Sequence, residues 1–235
     1  MENLFGSHQK ARRQDSEHWI SMSDLMAGLM MVFLVISVAF MRYVQIEKDK
    51  IKEVAVAYQN SQVALYQALQ EEFQEELPVW DAEIDKTTLE FRFKSPDVLF
   101  DTGQITLKPQ FQAILDDFFP RYLQVLQGFR GNITEVRIEG HTSRVWNGAT
   151  TPEIAYFNNM ELSQGRTRAV LQYLYGMPAV EADREWVKGV FAAVGFSSSH
   201  PVLDEQGRED ENRSRRVSFR VMTNAELQIR KIIQE

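Results

Sequence analysis

A single carboxylate lies at the start of the most apolar stretch of the chain. Asp24 is followed by seventeen residues, 25–41, that carry no formal charge. A charged side chain costs about 2.5–3.5 kcal/mol at the centre of a membrane and less near the interface, so acids in such stretches usually serve a function. A carboxylate there can bind and release a proton or a sodium ion, with Ser21 and Ser23 as nearby oxygen donors. Alternatively, Ser23 or Asp24 caps the N-terminus of a helix.

The rest of the sequence holds no residue arrangement typical of an enzyme. It has no cysteine, which excludes disulfides, thiolate catalysis and cysteine-based zinc sites. We find no nucleophile–base arrangement, phosphate-binding loop or histidine pair with metal-ligand spacing. We therefore expect neither catalysis nor a metal or organic cofactor. The net charge of −7 argues against direct nucleic-acid binding, which needs a basic surface.

The apolar stretch predicts one transmembrane helix over residues 19–43, after a tail of residues 1–18. At about 1.5 Å per residue the helix reaches roughly 37 Å, enough to cross a hydrocarbon core of about 30 Å. Trp19 and Tyr43 stand where interfacial aromatic residues usually lie. A cleaved signal peptide would need small residues after the apolar run, whereas Arg42 and Tyr43 follow it directly. Lysine and arginine occur on both sides, so their count leaves the orientation open.

Residues 44–79 predict a helical connecting segment. They are rich in charged, helix-favouring residues, and Pro78 is the first helix breaker in the run. One set of positions repeats with a spacing of three and four, as in a parallel dimeric coiled coil. These positions are Ile51, Val54, Tyr58, Ser61, Leu65 and Ala68. Since Ser61 and Ala68 are weak seam residues, a solvated helical spacer is the alternative.

Residues 80–223 predict an α+β sandwich with helices on one face of a sheet, in the order βαβαββ. Alternating or continuous apolar patterns indicate strands. These lie at 88–93, 133–138, 191–196 and 217–221. Helical patterns occupy 107–127 and 160–175, and Pro120 is expected to kink or interrupt the first of these. A short helix is predicted at 224–235.

The segment 18–33 resembles the B subunit of flagellar stator units (MotB). The shared features are an aromatic residue, small or polar residues, an acid and then a span rich in Met, Ala and Phe. The resemblance implies that Asp24 carries the transported ion, a proton or sodium. It also implies that two B chains assemble inside five A subunits. In that family the region after the span can plug the ion path, which would place a plug at residues 44–60 here.

The second resemblance lies further along the chain and is carried by motifs that occur in one order. They are Phe100-Asp-Thr-Gly103, Gly140-His-Thr142, Asn159-Met-Glu-Leu162-Ser-Gln-Gly-Arg166 and Arg215-Arg216-Val217. Together they resemble the OmpA-like peptidoglycan-binding domain. The implied ligand is the zwitterionic diaminopimelate stem peptide of the cell wall.

That resemblance implies several ligand contacts, and the sequence departs from the family pattern at two positions. Arg166 would bind a carboxylate with its planar fork of donors. Asn159 and the backbone near Thr142 would bond peptide groups, with Leu162 and Ser143 beside them. The family's acid after Gly-His-Thr is Ser143 here, and the asparagine before the paired arginines is Ser214.

Two further expectations concern residues around this site. Asp101 or Glu153 could supply the missing acid. The loop 143–158 is longer than in the common form of the domain, and it carries Trp146, Tyr156 and Phe157. These aromatic residues either contact glycan or cover the core.

Taken together, the chain looks most like the B subunit of the Zorya anti-phage defence system. That implies an inner-membrane protein with one span, a cytoplasmic N-terminus and a periplasmic C-terminal domain. Its partners would be an A-subunit pentamer, a second copy of itself, peptidoglycan and the lipid bilayer. A flagellar stator subunit is one alternative. A passive wall anchor, in which Asp24 only caps a helix, is the other.

Overall fold

A computed structural model describes residues 5–94, 96–147 and 150–224. The chain divides into two compact units, the first ending at Glu53 and the second beginning at Val54. Helix α1, Phe5–Phe73, supplies residues to both. The predicted helix at 224–235 falls almost wholly outside the described residues.

The first unit is the apolar part of α1. Its large apolar side chains are exposed on every side of the helix, as shown by Leu25 at 75% and Met41 at 73% of their full exposure. Among the described residues it is the one helix long and apolar enough to cross a membrane. A helix that is apolar all round suits lipid rather than an aqueous surface.

The second unit includes the end of α1. Leu65, Leu69 and Phe73 are fully buried in the core of the C-terminal domain. Arg121 holds the end of this helix, with Nε 2.7 Å from Glu72 and Nη1 2.8 Å from Glu76. The heptad pattern places Leu65 at a dimer seam, but its side chain is buried against its own domain. A dimer seam that includes Leu65 therefore does not match this packing, and the coiled coil over the earlier heptad positions stays a prediction.

A mixed five-stranded sheet forms the centre of the domain. Its strands are β1 Ala82–Asp85, β2 Glu90–Phe93, β3 Ile133–His141, β4 Phe191–Gly195 and β5 Arg216–Thr223. They lie in the order β1-β2-β5-β3-β4, with β3 and β4 parallel and the other neighbours antiparallel. The α+β prediction is confirmed. β1 was not predicted, because four residues with two acids carry no clear strand pattern.

Helices cover one face of the sheet. The helices that follow α1 along the chain are α2 Pro96–Leu99, α3 Pro109–Gln127, α4 Pro152–Tyr175, α5 Arg184–Val190 and the short α6 Glu211–Ser214, with a 3₁₀ turn at Pro178–Asp183. The expected interruption at Pro120 does not occur, because α3 continues through it. Phe118, Phe119, Tyr122 and Leu123 are buried on both sides of the proline. Their packing offsets the backbone hydrogen bond that proline cannot donate.

The two faces of the sheet differ in chemistry. Directly paired residues of antiparallel strands share a face, and the row Phe91, Phe219, Ile138 packs against the helices. The next row of paired residues, whose side chains lie on the opposite face, is Arg92, Ser218 and Glu139. The helix-covered face therefore holds the apolar core, and the other face holds a paired, charged layer.

Candidate functional site

One cleft, with a volume of about 330 Å³, lies at the C-terminal end of β3 and beside α4. It gathers the residues that the second resemblance assigned to ligand binding. Its lining includes Thr142, Ser143, Asn159, Leu162 and Arg166. The remaining lining residues are Phe100, Thr102, Gly103, Val145, Trp146, Asn147, Glu211 and Arg215.

The Phe-x-x-Gly turn positions Arg166. Gly103 has a φ of +70°, in the left-handed region that glycine adopts without strain. This closes a turn in which the carbonyls of Asp101 and Gln104 both accept from Arg166, at 3.0 Å from Nη2 and 2.9 Å from Nε. The ring of Phe100 lies beneath the guanidinium, 4.8 Å from its central carbon. The motif therefore forms a socket for Arg166, made of two backbone carbonyls and the ring of Phe100.

The socket leaves part of the guanidinium available. Arginine has five N–H donors, and the two carbonyls of the turn use one on Nε and one on Nη2. Nη1 has no acceptor among the described residues. Burial, together with the nearby positive charge of Arg215, lowers the pKa of Arg166 to about 10. The side chain remains charged at neutral pH, and an anionic ligand would relieve both effects.

Backbone and buried side chains fix the loop that follows β3. The amide of Asn159 donates to the carbonyl of Ser143 at 3.1 Å. The backbone N–H of Thr142 donates to the carbonyl of Ser197 at 2.9 Å, and the N–H of Ser197 donates to Ser163 Oγ at 3.1 Å. Asn159 therefore fixes the backbone of the loop that lines the cleft, in addition to any contact it makes with a ligand.

Two glycines allow α4 to lie close to the sheet at this end. A Cβ at Gly140 would lie 2.8 Å from the carbonyl oxygen of Ser163, and one at Gly195 would lie 2.5 Å from the backbone nitrogen of Gln164. Real Cβ atoms do not approach other atoms so closely. These glycines therefore set the distance between the strand ends and the helix that carries Arg166.

The acid expected beside Ser143 comes from neither of the suggested residues. The carboxylate of Asp101 lies 3.3 Å from Lys108 Nζ, and only its carbonyl is turned to Arg166. Glu153 is exposed in the first turn of α4 and does not line the cleft. The carboxylate that does line the cleft is Glu211. Glu211 belongs to none of the sequence motifs, and Arg215 belongs to one that implies no ligand contact for it.

The aromatic residues expected in one loop separate in the structure. Trp146 lines the cleft with 36% of its surface exposed. Tyr156 and Phe157 lie in α4, which begins at Pro152, so the loop is shorter than the predicted 143–158. Their rings pack against each other, with centroids 5.5 Å apart, and Phe157 is 68% exposed.

A buried polar cluster lies on the charged sheet face. Glu90, Glu139 and His141 place one ligand-type atom each within 4.8 Å of one another. Arg92 Nη2 lies 2.8 Å from Glu90, and Arg216 is buried beside the cluster. These guanidinium groups balance the carboxylates, so the cluster has the charge of a structural ion-pair network rather than of a cation site.

The predicted ion-site residues lie in α1. Asp24 is exposed and well inside this helix, which begins at Phe5, so it is not at the helix N-terminus. The capping alternative for Asp24 or Ser23 therefore does not match the structure. Ser23 and Ser21 lie one and three residues before Asp24 in the same helix.

Comparisons with known proteins agree with these motifs. Residues 99–215 match the model of the OmpA family. The "Zorya protein ZorB" of Escherichia coli is 66% identical over 235 residues, which is all of this chain and all of that protein. The chain belongs to the ZorB family. The resemblances to the OmpA-like domain and to the Zorya B subunit are thereby confirmed.

Solved structures give more distant likenesses. A MotB-like protein from Desulfovibrio vulgaris is 26% identical, with a TM-score of 0.47 over 73% of this chain and 94% of that one. The cell wall anchor of the T6SS from Pseudomonas aeruginosa is 21% identical, with a TM-score of 0.45 over 66% of this chain and 96% of that one.

Proposed function

We propose that the chain is the membrane-anchored B subunit of an ion-driven, stator-like motor complex that binds peptidoglycan and takes part in anti-phage defence. The observation that carries this proposal is its 66% identity, over every residue, to a protein named for the Zorya system. Two features of the chain suit such a role. They are an acid inside an exposed apolar helix and a cleft with a socketed arginine.

The chain is a single-pass protein of the inner membrane, with its N-terminus in the cytoplasm and its C-terminal domain in the periplasm. The exposed apolar surface of α1 supports a membrane span. A domain that binds peptidoglycan must lie on the periplasmic side to reach it. Because the chain has no cysteine, Glu205→Cys should react with an impermeant maleimide added to cells with a permeable outer membrane, whereas Ser7→Cys should not. The reverse labelling pattern would contradict this orientation.

Asp24 carries the ion, a proton or sodium. It is the one charged residue between His18 and Arg42. Each charge that crosses the membrane releases about 2.3 kcal/mol per 100 mV, several times thermal energy, so the flow can bias a mechanical step. The surrounding ligands would come from an A-subunit pentamer and from a second copy of this chain.

The cleft of the C-terminal domain binds the stem peptide of peptidoglycan. The free donors of Arg166 take a carboxylate of the peptide, and Thr142, Ser143, Asn159 and Leu162 form the neighbouring wall. A planar guanidinium already held by two carbonyls loses little further freedom when it binds. Wall binding then fixes the complex, so that ion flow turns the A subunits and not the B subunits.

Wall binding is tested by sedimentation with purified, insoluble peptidoglycan. Arg166→Ala in the detergent-solubilised chain should remain in the supernatant while the wild type pellets. Arg168→Ala is the matched control, because Arg168 lies in the same helix but is exposed and outside the cleft. Equal sedimentation of Arg166→Ala and the wild type would place the ligand elsewhere.

The flagellar alternative shares the same machine but drives a different output. Expressed with its neighbouring genes, the wild-type chain should lower the plating efficiency of at least one phage. It should also fail to restore swimming to a strain that lacks its own stator. Restored swimming without protection would overturn the defence role in favour of the flagellar one.

A further inference from the structure

The cleft holds a pair of opposite charges, at the start of α6 and directly after its end, to which the sequence motifs give no ligand-binding role. Glu211 and Arg215 both line it, one helical turn apart. Glu211 is exposed, and its carboxylate forms no ion pair with a cation in the described part of the chain. By contrast, Asp101 is already engaged with Lys108 at 3.3 Å. Glu211 is therefore the carboxylate of the cleft that remains open to a ligand.

Hydrogen bonds hold α6 in place against the cleft. The side chain of Asp210 accepts from the backbone N–H of Arg213 at 3.1 Å and caps the helix. The backbone N–H of Arg215 donates to the carbonyl of Glu211 at 3.2 Å. Ser214 is fully buried, and its Oγ accepts from the N–H of Val202 at 3.0 Å. Ser214, one of the departures from the family pattern, thus ties α6 to the preceding loop.

The charges of the cleft are arranged for a ligand that carries both signs. Among the lining residues, Arg166 and Arg215 are the cations and Glu211 is the anion. Ser143, in the place of the family's acid, contributes its carbonyl to Asn159 and no charge. A ligand that carries only a carboxylate would leave Glu211 unpaired at the rim.

We infer that Glu211 binds the ammonium group of the wall peptide, in place of the acid that Ser143 replaces, while Arg166 binds the neighbouring carboxylate. The inference rests on the proposed wall binding and assigns a residue that the family motif does not. A charge-assisted hydrogen bond between ammonium and carboxylate gives the cleft a preference for a free amine over an acylated one.

The test compares two probes on the full-length chain in detergent. One is the stem tripeptide ending in meso-diaminopimelate with its side-chain amine free. The other is the same peptide with that amine acetylated. The wild type should prefer the free amine by about tenfold, which corresponds to roughly 1.4 kcal/mol. Glu211→Gln should bind both peptides alike, and the exposed control Glu205→Gln should keep the preference.

A second variant tests whether Glu211→Gln acts through the lost charge or through a local disturbance of α6. Adding Ser143→Asp to Glu211→Gln returns an acid to the other wall of the cleft and should restore the preference. An undiminished preference in Glu211→Gln would overturn the inference, and so would a wild type that binds both peptides equally. Arg166→Ala should lose both peptides. If the wild type binds neither, the proposed wall binding fails, and the inference fails with it.

Discussion

The guanidinium of Arg166 lies over the ring of Phe100, with 4.8 Å between its central carbon and the ring centroid. Phe100 is 5% exposed and also meets Phe111, with their ring centroids 5.9 Å apart. The ring therefore joins the domain core to the cleft. A contact of this kind contributes about 0.5–2 kcal/mol and holds the guanidinium in one orientation.

Phe100→Leu should weaken binding of the wall peptide more than it weakens folding. Leucine keeps most of the buried apolar volume but offers no π face, so Arg166 gains freedom that binding must remove. We expect a loss of about three- to tenfold in affinity, measured by calorimetry with the stem peptide. The control is Phe157→Leu, at an aromatic residue outside the cleft. Unchanged affinity in Phe100→Leu would show that the ring does not position the guanidinium.

Gly195→Ala should destabilise the domain, because its new Cβ would lie 2.5 Å from the backbone nitrogen of Gln164. Overpacking of this kind costs about 1–3 kcal/mol, and α4 must shift to relieve it. Urea denaturation of the full-length chain in detergent measures the free energy of unfolding. Gly189→Ala is the matched control, since no atom lies within 4 Å of its added Cβ. Equal stability of the two variants would contradict the close packing of α4.

Arg121→Ala should loosen the end of α1 from the domain. The guanidinium contacts the carboxylates of Glu72 and Glu76, and its central carbon lies 4.9 Å from the centroid of the Phe73 ring. Because the side chain is partly exposed, we expect a loss of only about 1–2 kcal/mol in the free energy of unfolding. Hydrogen exchange should quicken first near Phe73. The exposed Arg168→Ala should leave exchange there unchanged, and equal exchange in both variants would show that Arg121 is dispensable.

The stability of the domain should fall as the pH drops below about 6.5. Burial lowers the pKa of His141 below its ordinary 6.5, Arg216 adds to the effect, and Glu139 opposes it. The unfolded chain therefore binds more protons than the folded one just below that pH, and stability rises with pH there. Urea midpoints measured between about pH 5 and 7 test this slope. His141→Gln should flatten it, and an equal slope in the wild type and His141→Gln would contradict the assignment.

Much of the fold and the site could be predicted because local pattern and tertiary packing agree there. The apolar helix around Asp24 and the ordered motifs up to Arg216 are local signals. Local geometry disfavours proline inside a helix, so the sequence predicts a kink or an interruption at Pro120. The buried aromatic neighbours outweigh that cost, and the helix continues. The role of Leu65 could not be predicted for a related reason. A heptad pattern shows that a residue is buried, but not whether a second helix or its own domain buries it.

The chemistry of the cleft was less predictable than its position. The motif pointed to Arg166, but only the structure shows that two backbone carbonyls already use part of its guanidinium. The missing acid could not be found by sequence spacing. Glu211 lies far along the chain from Ser143, and α6, the short helix before β5, places it at the same cleft. Contacts between distant segments leave no local signal.

The central claim, that ion flow through Asp24 drives the defence function, is tested most directly by phage plating. The wild type and Asp24→Asn are expressed with the neighbouring genes, and purification of the complex verifies that both assemble. Asparagine keeps the shape of the side chain but cannot exchange a proton or carry a negative charge. The account predicts that Asp24→Asn assembles but no longer protects, so phage plate as on cells without the system. Full protection by an assembled Asp24→Asn complex would contradict the motor and favour a passive wall anchor.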